Sequence, residues 1–140
     1  MTVHILVPMD GSPMAERALD HALSLHPDAR CTVLHVIDYI EESYSARALI
    51  GGEKLRERAQ ARAENLFEDA AAIADEHGAE IDTATAIGDP AREIVDYAED
   101  HDVALIVIGS HGRSPMSRIL LGSVAETVTR RAPVPVTVVR

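Results

Sequence analysis

Residues 103–123 read VALIVIGSHGRSPMSRILLGS, an apolar run that passes directly into a loop rich in glycine and serine. The run Val103–Ile108 is the most apolar of the chain, which predicts a buried, central β-strand. The loop Gly109–Leu121 follows the carboxyl end of that strand, and a helix is predicted from about Gly122 to Arg131. This part of the chain is therefore predicted to have the order strand, glycine loop, helix.

The rest of the chain alternates between β-rich runs and helical patterns in the same way. The first strand is ended by Pro8, after which Ser12 is placed as a helix N-cap and Pro13 as the first helical residue. Asp89-Pro90 repeats this signal, and the pair Pro27-Asp28 ends the first helix. The predicted strands are Val3–Val7, Cys31–Ile37, Glu80–Ile87, Val103–Ile108 and Val134–Val139; the helices between them start at Pro13, Glu53, Pro90 and Gly122.

Each of the first three predicted helices carries one apolar face at the spacing of about 3.6 residues per turn. The second helix runs from Glu53 to His77 and is ended by Gly78. Residues 38–52 lack a regular pattern and are interpreted as a mobile lid or a partner surface. The predicted inward residues are Ala15, Ala18, Leu19, Ala22 and Leu25, then Leu55, Ala59, Ala63, Leu66, Ala70, Ile73 and His77, and then Ile94, Val95 and Ala98.

Alternating strands and helices predict an α/β fold, an open parallel sheet with helices on both faces. The strand Glu80–Ile87 has an alternating pattern, which places it nearer an edge of the sheet. Ligands of such sheets bind beyond the carboxyl ends of the strands, where the strand order reverses. The loops 8–12 and 109–123 both follow strand ends, so we expect them to form one site.

Composition limits the class of protein. A chain of 140 residues suits one domain, and its net charge of −10 disfavours nucleic acid and anionic membranes as partners. Lys54 is the only lysine and lies in a helical pattern, which excludes a Walker-A loop. The single cysteine, Cys31, excludes an internal disulfide. Because the sequence shows neither a signal peptide nor an apolar run of the roughly 20 residues that cross a bilayer, we expect a cytoplasmic protein.

The glycine loop has the spacing Gly109-x2-Gly112-x9-Gly122-Ser123. Glycines permit left-handed backbone angles and a close approach of N–H groups to an anion, and a helix that starts at Gly122-Ser123 adds the positive end of its dipole. Arg113 and Arg118 add positive charge. These features predict a cradle for phosphates. A second interpretation needs no ligand, because Ser123 and Glu126 have the spacing of a capping box.

At this point the sequence resembles the ATP-binding branch of the universal stress protein family. The resemblance rests on the glycine spacing, on Asp10 just after the first strand and on Val134-Pro135-Val136 in the last strand, and it extends from Val3 to Val139. It implies an adenine-nucleotide alpha-hydrolase-like fold with strand order 3-2-1-4-5, and ATP, with magnesium, across the ends of the first and fourth strands. It also implies a homodimer formed through the last strand, with Val134, Val136 and Val138 at the pairing edge.

The resemblance further implies a role for individual residues of the two loops. Asp10 would accept from the ribose hydroxyls or contact the metal, Val36 would pack on adenine, and Gly112 and Gly122 would hold phosphates. The full set of residues implied in nucleotide binding is Pro8, Met9, Asp10, Ser12, Val36, Ile108, Gly109, His111, Gly112, Arg113, Gly122, Ser123 and Val124.

Three functions are compatible with the sequence. The first is a nucleotide-dependent regulator of the stress response, whose unknown protein partner responds to ATP loading. The second is a slow ATPase or an enzyme that transfers a nucleotidyl or phosphoryl group, and the third is a dimerising scaffold with an empty cleft. No set of nucleophile, base and orienting residue is visible, and the histidines lack metal-ligand spacing. We therefore expect the first function, with at most weak ATP hydrolysis.

Overall fold

A computed structural model describes residues 2–39, 51–112 and 121–140. Residues 40–50, which make up most of the predicted lid or partner surface 38–52, lie outside the described residues. The cations Arg113 and Arg118 lie outside them as well. The elements within the described residues are β1 (His4–Pro8), α1 (Pro13–Leu25), β2 (Arg30–Ile37), α2 (Gly52–Glu76), β3 (Asp82–Ile87), α3 (Pro90–Asp100), β4 (Leu105–Gly109), α4 (Ser123–Arg131) and β5 (Val136–Val139).

The strands form one five-stranded sheet in the order β3-β2-β1-β4-β5, and every pair of neighbours is parallel. This confirms the predicted fold class and strand order. β1 lies at the centre, with Ile5 opposite Cys31 on one side and Leu105 on the other. All five residues of β1 are buried, because helices cover both faces of the sheet. β3 lies at an edge, as its alternating pattern predicts.

The two faces of the sheet support two separate hydrophobic cores. Ile5 and Val7 point towards α1 and α2, whereas Leu6 points towards α3 and α4. The same alternation places Val33 in the first core and Leu34 in the second. The loops that follow β1 and β4 therefore emerge between the two helical layers, at one end of the sheet.

The predicted caps are present at two helix starts. The Ser12 hydroxyl oxygen accepts a hydrogen bond from the Ala15 amide at 3.2 Å, and the Asp89 carboxylate accepts from the Arg92 amide at 3.1 Å. Gly78 has a φ of +62° directly after α2, an angle that favours glycine and ends the helix as predicted. None of the helices in the described ranges is long and apolar enough to span a bilayer.

The predicted helix faces are correct only in part. Leu25, the last residue of α1, was expected to face inward but is 62% exposed, and Leu23 is buried instead. In α2 the buried stripe continues from Ala70 to Ala74, and Ile73 is half-buried but packs against the first core as predicted. The same intermediate exposure is found for three other predicted inward residues, Leu55, His77 and Val95. The remaining inward residues are buried as predicted.

Candidate functional site

A cavity of about 340 Å³ lies at the carboxyl end of the sheet, where β1 and β4 are neighbours but their connections leave in opposite directions. It lies on the face of the sheet that α3 and α4 cover, since Leu34, Ile94 and Ala125 of that core line it. Its size is within the range of small-ligand pockets. The predicted site residues that line it are Pro8, Met9, Asp10, Ser12, Val36, Ile108, Gly109, His111, Gly112, Gly122, Ser123 and Val124.

The structure thus brings together every predicted site residue except Arg113, which lies outside the described residues. It does so because the carboxyl ends of adjacent parallel strands meet at one edge of the sheet. The two loops are far apart in the sequence, and only the neighbouring position of β1 and β4 joins them.

Asp10 is held by the turn in which it lies. Its Oδ1 atom accepts a hydrogen bond from the Ser12 amide at 2.9 Å, and Gly11 between them has a φ of +84°. The other carboxylate oxygen, Oδ2, lies close to Gly112 of the second loop. Asp10 is half-buried and lines the cavity, and a carboxylate oxygen in such a position can accept a hydrogen bond or bind a cation.

The glycines of the second loop are required by close contacts. A Cβ atom at Gly112 would overlap the Asp10 carboxylate, and one at Gly109 would lie 2.8 Å from the backbone carbon of Met14. At Gly122 a Cβ would lie 3.0 Å from the Ser110 carbonyl oxygen and the His111 Cα. None of the three has a left-handed φ, so that part of the sequence interpretation is wrong. Each glycine instead removes a side chain where two segments meet.

α4 begins at the cavity with its amino end uncapped by any side chain of the described residues. Gly122 is the N-cap, and its amide donates to the Ser110 carbonyl at 2.7 Å. Ser123 is the first helical residue, so the predicted capping box of Ser123 and Glu126 is wrong. The residues of the first turn, Ser123, Val124 and Ala125, line the cavity. The amino end of a helix attracts anions because its first N–H groups lack partners within the helix.

The sequence interpretation missed several residues of the cavity. Leu34 and Ile94 extend the apolar wall formed by Val36 and Ile108, and the remaining missed residues are Ala15, His35, Asp38, Pro90 and Ala125. Asp38 directly follows β2, so the strand-end rule that identified Asp10 could also have found it. Ile94 could not have been found in this way, because it reaches the cavity from within α3 and resembles any other core residue.

Among the missed residues, His35 makes a specific contact with the first loop. Its ring nitrogen Nδ1 lies 3.0 Å from the carbonyl oxygen of Met9, and the amide of Met9 donates to the Leu34 carbonyl at 2.9 Å. Met9 and His35 are only 3% and 5% exposed. Both polar backbone groups of Met9 are therefore satisfied by β2.

The described residues contain no cluster of three or more histidine, cysteine or acidic side chains that could hold a metal ion. Ser110 Oγ and His111 Nδ1 are 3.0 Å apart, but Ser110 is 2% exposed and lies outside the cavity lining. This serine is therefore not presented to a substrate. The cavity offers an apolar wall, carboxylates at its mouth and a helix end that attracts anions.

Comparison with known proteins adds the relationships of the chain. The family model described as the universal stress protein family matches residues 1–140. Universal stress protein MJ0531 of Methanocaldococcus jannaschii is 35% identical over 138 residues, which cover 97% of this chain and 81% of that protein. The solved structure of MJ0577 from the same organism has a TM-score of 0.83 at 34% identity and covers 99% of this chain and 96% of that one.

A further solved structure is that of a universal stress protein from Archaeoglobus fulgidus in complex with dAMP. It has a TM-score of 0.71 at 25% identity and covers 100% of this chain and 98% of that one.

Proposed function

This chain belongs to the universal stress protein family, and on that premise we propose that it binds ATP, with Mg²⁺, in the cavity between β1 and β4. ATP loading acts as a regulatory signal, because the loaded and empty forms present different surfaces to a protein partner in the stress response. One observation carries the proposal: the uncapped amino end of α4 and the close-packed glycine loop open into the same cavity as an apolar wall.

The phosphates lie at the amino end of α4. The first helical turn, which starts at Ser123, presents N–H groups that no side chain of the described residues caps. Gly112 and Gly122 let the loop pack closely against Asp10 and Ser110 beside this helix end, where backbone N–H groups can approach an anion. Oriented dipoles favour an anion at this point, against the long-range repulsion from a net charge of −10.

The adenosine part lies towards β2. Val36 and Ile108 supply apolar contacts on which a base can pack, and Leu34 and Ile94 close the wall behind them. The A. fulgidus relative was solved with dAMP, which supports an adenine nucleotide as the ligand here. The spacing Gly109-x2-Gly112-x9-Gly122-Ser123, typical of the ATP-binding branch, supports the triphosphate.

Asp10 serves the ribose or the metal. Its Oδ1 is committed to the Ser12 amide, while Oδ2 faces the glycine loop at the cavity mouth. Mg²⁺ in nucleotide sites is held by one or two carboxylates together with phosphate oxygens, so this arrangement fits the ion. When bound, Mg²⁺ would neutralise phosphate charge beside Asp10.

A regulator fits better than a scaffold with an empty cleft. That alternative depended on the capping box to explain the start of α4, and Ser123 does not cap the helix. We further propose that residues 1–140 form one domain, that the protein acts in the cytoplasm, and that it forms a homodimer through β5.

Ser123 provides a test in which binding and folding respond in opposite directions. Ser123→Asp places a negative charge in the first turn of α4. This charge stabilises the helix because it interacts favourably with the helix dipole, but it repels phosphates at the same position. Ser123→Asn has nearly the same size without the charge and is the matched control. Titration calorimetry with Mg·ATP measures affinity, with Mg·GTP and AMP as comparison ligands, and thermal unfolding measures stability.

We expect the wild type to bind ATP more tightly than GTP, and Ser123→Asp to bind ATP at least about tenfold more weakly than Ser123→Asn. The melting temperature of Ser123→Asp should equal or exceed that of the control. Equal ATP affinity in the two variants would show that the phosphates do not lie at the amino end of α4. A wild-type protein that is shown to be free of nucleotide and still binds no ATP would overturn the proposal.

A further inference from the structure

His35 contacts the cavity loop from the opposite face of the sheet. Its neighbours Leu34 and Val36 belong to the core beside the cavity, so the His35 side chain points towards α1 and α2. There its ring meets Phe67 of α2 edge to face, with centroids 6.5 Å apart and an interplanar angle of 89°. The ring is thus fixed in orientation by a packed aromatic partner on one side and by the Met9 carbonyl on the other.

The contact with Met9 defines which ring nitrogen carries the proton. A backbone carbonyl can only accept, so the 3.0 Å contact requires Nδ1–H of His35 to donate to the Met9 oxygen. His35 is 5% exposed, and water does not replace this donor readily. Without the imidazole, the Met9 carbonyl would be a buried acceptor with no partner.

Met9 connects the end of β1 to Asp10. Pro8 is the last residue of β1, and Asp10, whose carboxylate faces the glycine loop, comes next after Met9. The amide of Met9 is fixed by Leu34 and its carbonyl by His35. The direction in which the chain enters the Asp10 turn is therefore set by two bonds from β2, one of them from a side chain.

We propose that His35 is a positioning residue of the nucleotide site: its Nδ1–H bond to the Met9 carbonyl holds Asp10 in the orientation that binds ribose or Mg²⁺. The inference rests on the proposed ATP binding and adds a specific residue that acts through its hydrogen bond to the Met9 carbonyl. Groups that orient a ligand-binding residue in this way commonly change affinity on the order of tenfold to a hundredfold when they are removed.

Two amide substitutions separate the hydrogen bond from the bulk of the side chain. His35→Asn places an amide nitrogen near the position of Nδ1 and keeps the donor to Met9. His35→Gln carries its amide one bond further out, at the position of Nε2, and loses that donor. We expect His35→Asn to retain Mg·ATP affinity within about threefold and His35→Gln to lose about tenfold or more.

A third variant controls for stability. Val33→Ala lies two residues away on the same face of β2 and removes buried methyl groups, so it should lower the melting temperature while leaving ATP affinity unchanged. A loss of affinity in Val33→Ala as large as that in His35→Gln would show that destabilisation alone explains the effect, and the inference would be wrong. Equal affinities in the Asn and Gln variants would contradict it as well.

The protonation state gives a measurement that needs no variant. Nitrogen-15 NMR of histidine-labelled wild-type protein should show His35 as the Nδ1–H form, and an Nε2–H form would overturn the proposed bond. The titration of wild-type protein with ATP distinguishes failure of the proposed function from failure of the positioning role. If wild-type protein binds no ATP, the proposed function fails and this inference fails with it. If wild-type protein binds ATP and His35→Gln binds it equally well, only the positioning role fails.

Discussion

Three glycines in the second loop have different structural tasks. A Cβ at Gly109 would meet the backbone of Met14, so this glycine allows α1 to pack against the end of β4 and has a purely structural reason to be there. Gly112 and Gly122 instead bring the loop against Asp10 and against the strand end at Ser110. The spacing motif therefore contains packing requirements of different kinds, and only the contacts separate them.

Cys31 lies in the core, and its environment determines its chemistry. It is 3% exposed in β2, and this burial, together with the nearby charge of Asp82, raises the pKa of the Cys31 thiol from its ordinary 9.0 to about 12. The thiolate is the reactive form of cysteine, so we expect Cys31 to be unreactive in the folded protein at neutral pH.

The same shift makes a prediction about alkaline stability. The unfolded thiol ionises near pH 9 and the folded one only near pH 12, so the neutral thiol stabilises the fold fully below pH 9. That contribution is lost as the pH rises from 9 towards 12, at up to about 1.4 kcal/mol per pH unit. Urea unfolding at pH 8 to 11 should show a steeper fall in the wild type than in Cys31→Ala. Parallel curves for the two proteins would contradict the shifted pKa.

Some residues of the site could be predicted from the sequence and others could not, depending on which element carries each residue into the site. Asp10 and Gly112 lie in loops that follow strand ends, and the parallel sheet gathers strand ends at one edge, so local pattern was enough to find the loops, while the family resemblance supplied the individual residues. His35 acts across β2 on a backbone atom, and Ile94 arrives from within a helix. Neither has a local signal, because their positions in the site result from packing between elements that are distant in the sequence.

At the level of elements, the existence and order of the helices and strands were predictable, while the burial of individual turns was less so. Pro13 and Pro90, each after a capping side chain, fixed two helix starts. Leu25 has the right spacing for the core, but it is the last residue of α1 and is 62% exposed. Ser123 has the right residue type for a cap, but Gly122 occupies the cap position, and sequence alone does not decide between adjacent residues.

β5 is the terminal strand of the described sheet, and its outer edge has the geometry for pairing. The carbonyls of Pro135 and Val139 accept hydrogen bonds from the amides of Ile106 in β4 and of Ser110, which directly follows β4. Because backbone groups alternate along a strand, the N–H and C=O groups of Val136 and Val138 point away from β4. All four residues of β5 are only half-buried, which leaves room for a second chain.

A proline at position 138 tests the proposed dimer. Val138→Pro removes the outward N–H that would donate a hydrogen bond to a carbonyl of a second strand, while the N–H groups directed at β4 stay in place. Val138→Ala loses side-chain packing but keeps the N–H and is the control. Sedimentation should give a dimer for the wild type and for Val138→Ala, and a monomer for Val138→Pro. A dimeric Val138→Pro protein would show that β5 pairing does not hold the two chains together.

For the molecule as a whole, topology and charge act in opposite directions on an anionic ligand. The strand order 3-2-1-4-5 places the cavity where the connections of β1 and β4 diverge, and helix dipoles there favour anions. The net charge of −10 repels an anionic ligand at a distance, and the negatively charged side chains also repel one another within the folded chain. On the exposed side of α2, Glu64 and Glu68 are four residues apart, a spacing at which like charges destabilise a helix.

This self-repulsion predicts how stability responds to salt. Raising NaCl from 0.01 to 0.15 M shortens the Debye length from about 30 to about 8 Å, so the melting temperature of the nucleotide-free protein should rise and then level off. Removing two charges by Glu64→Gln and Glu68→Gln should raise the melting temperature by about 1 to 2 °C at low salt and weaken the response. A melting temperature that rises equally in both proteins, and continues to rise into molar NaCl, would indicate that salt acts by some means other than screening these charges.

Mg·ATP at 100 times its dissociation constant should add about 2.7 kcal/mol of stability at either salt concentration, because that shift depends only on the ratio of ligand to dissociation constant.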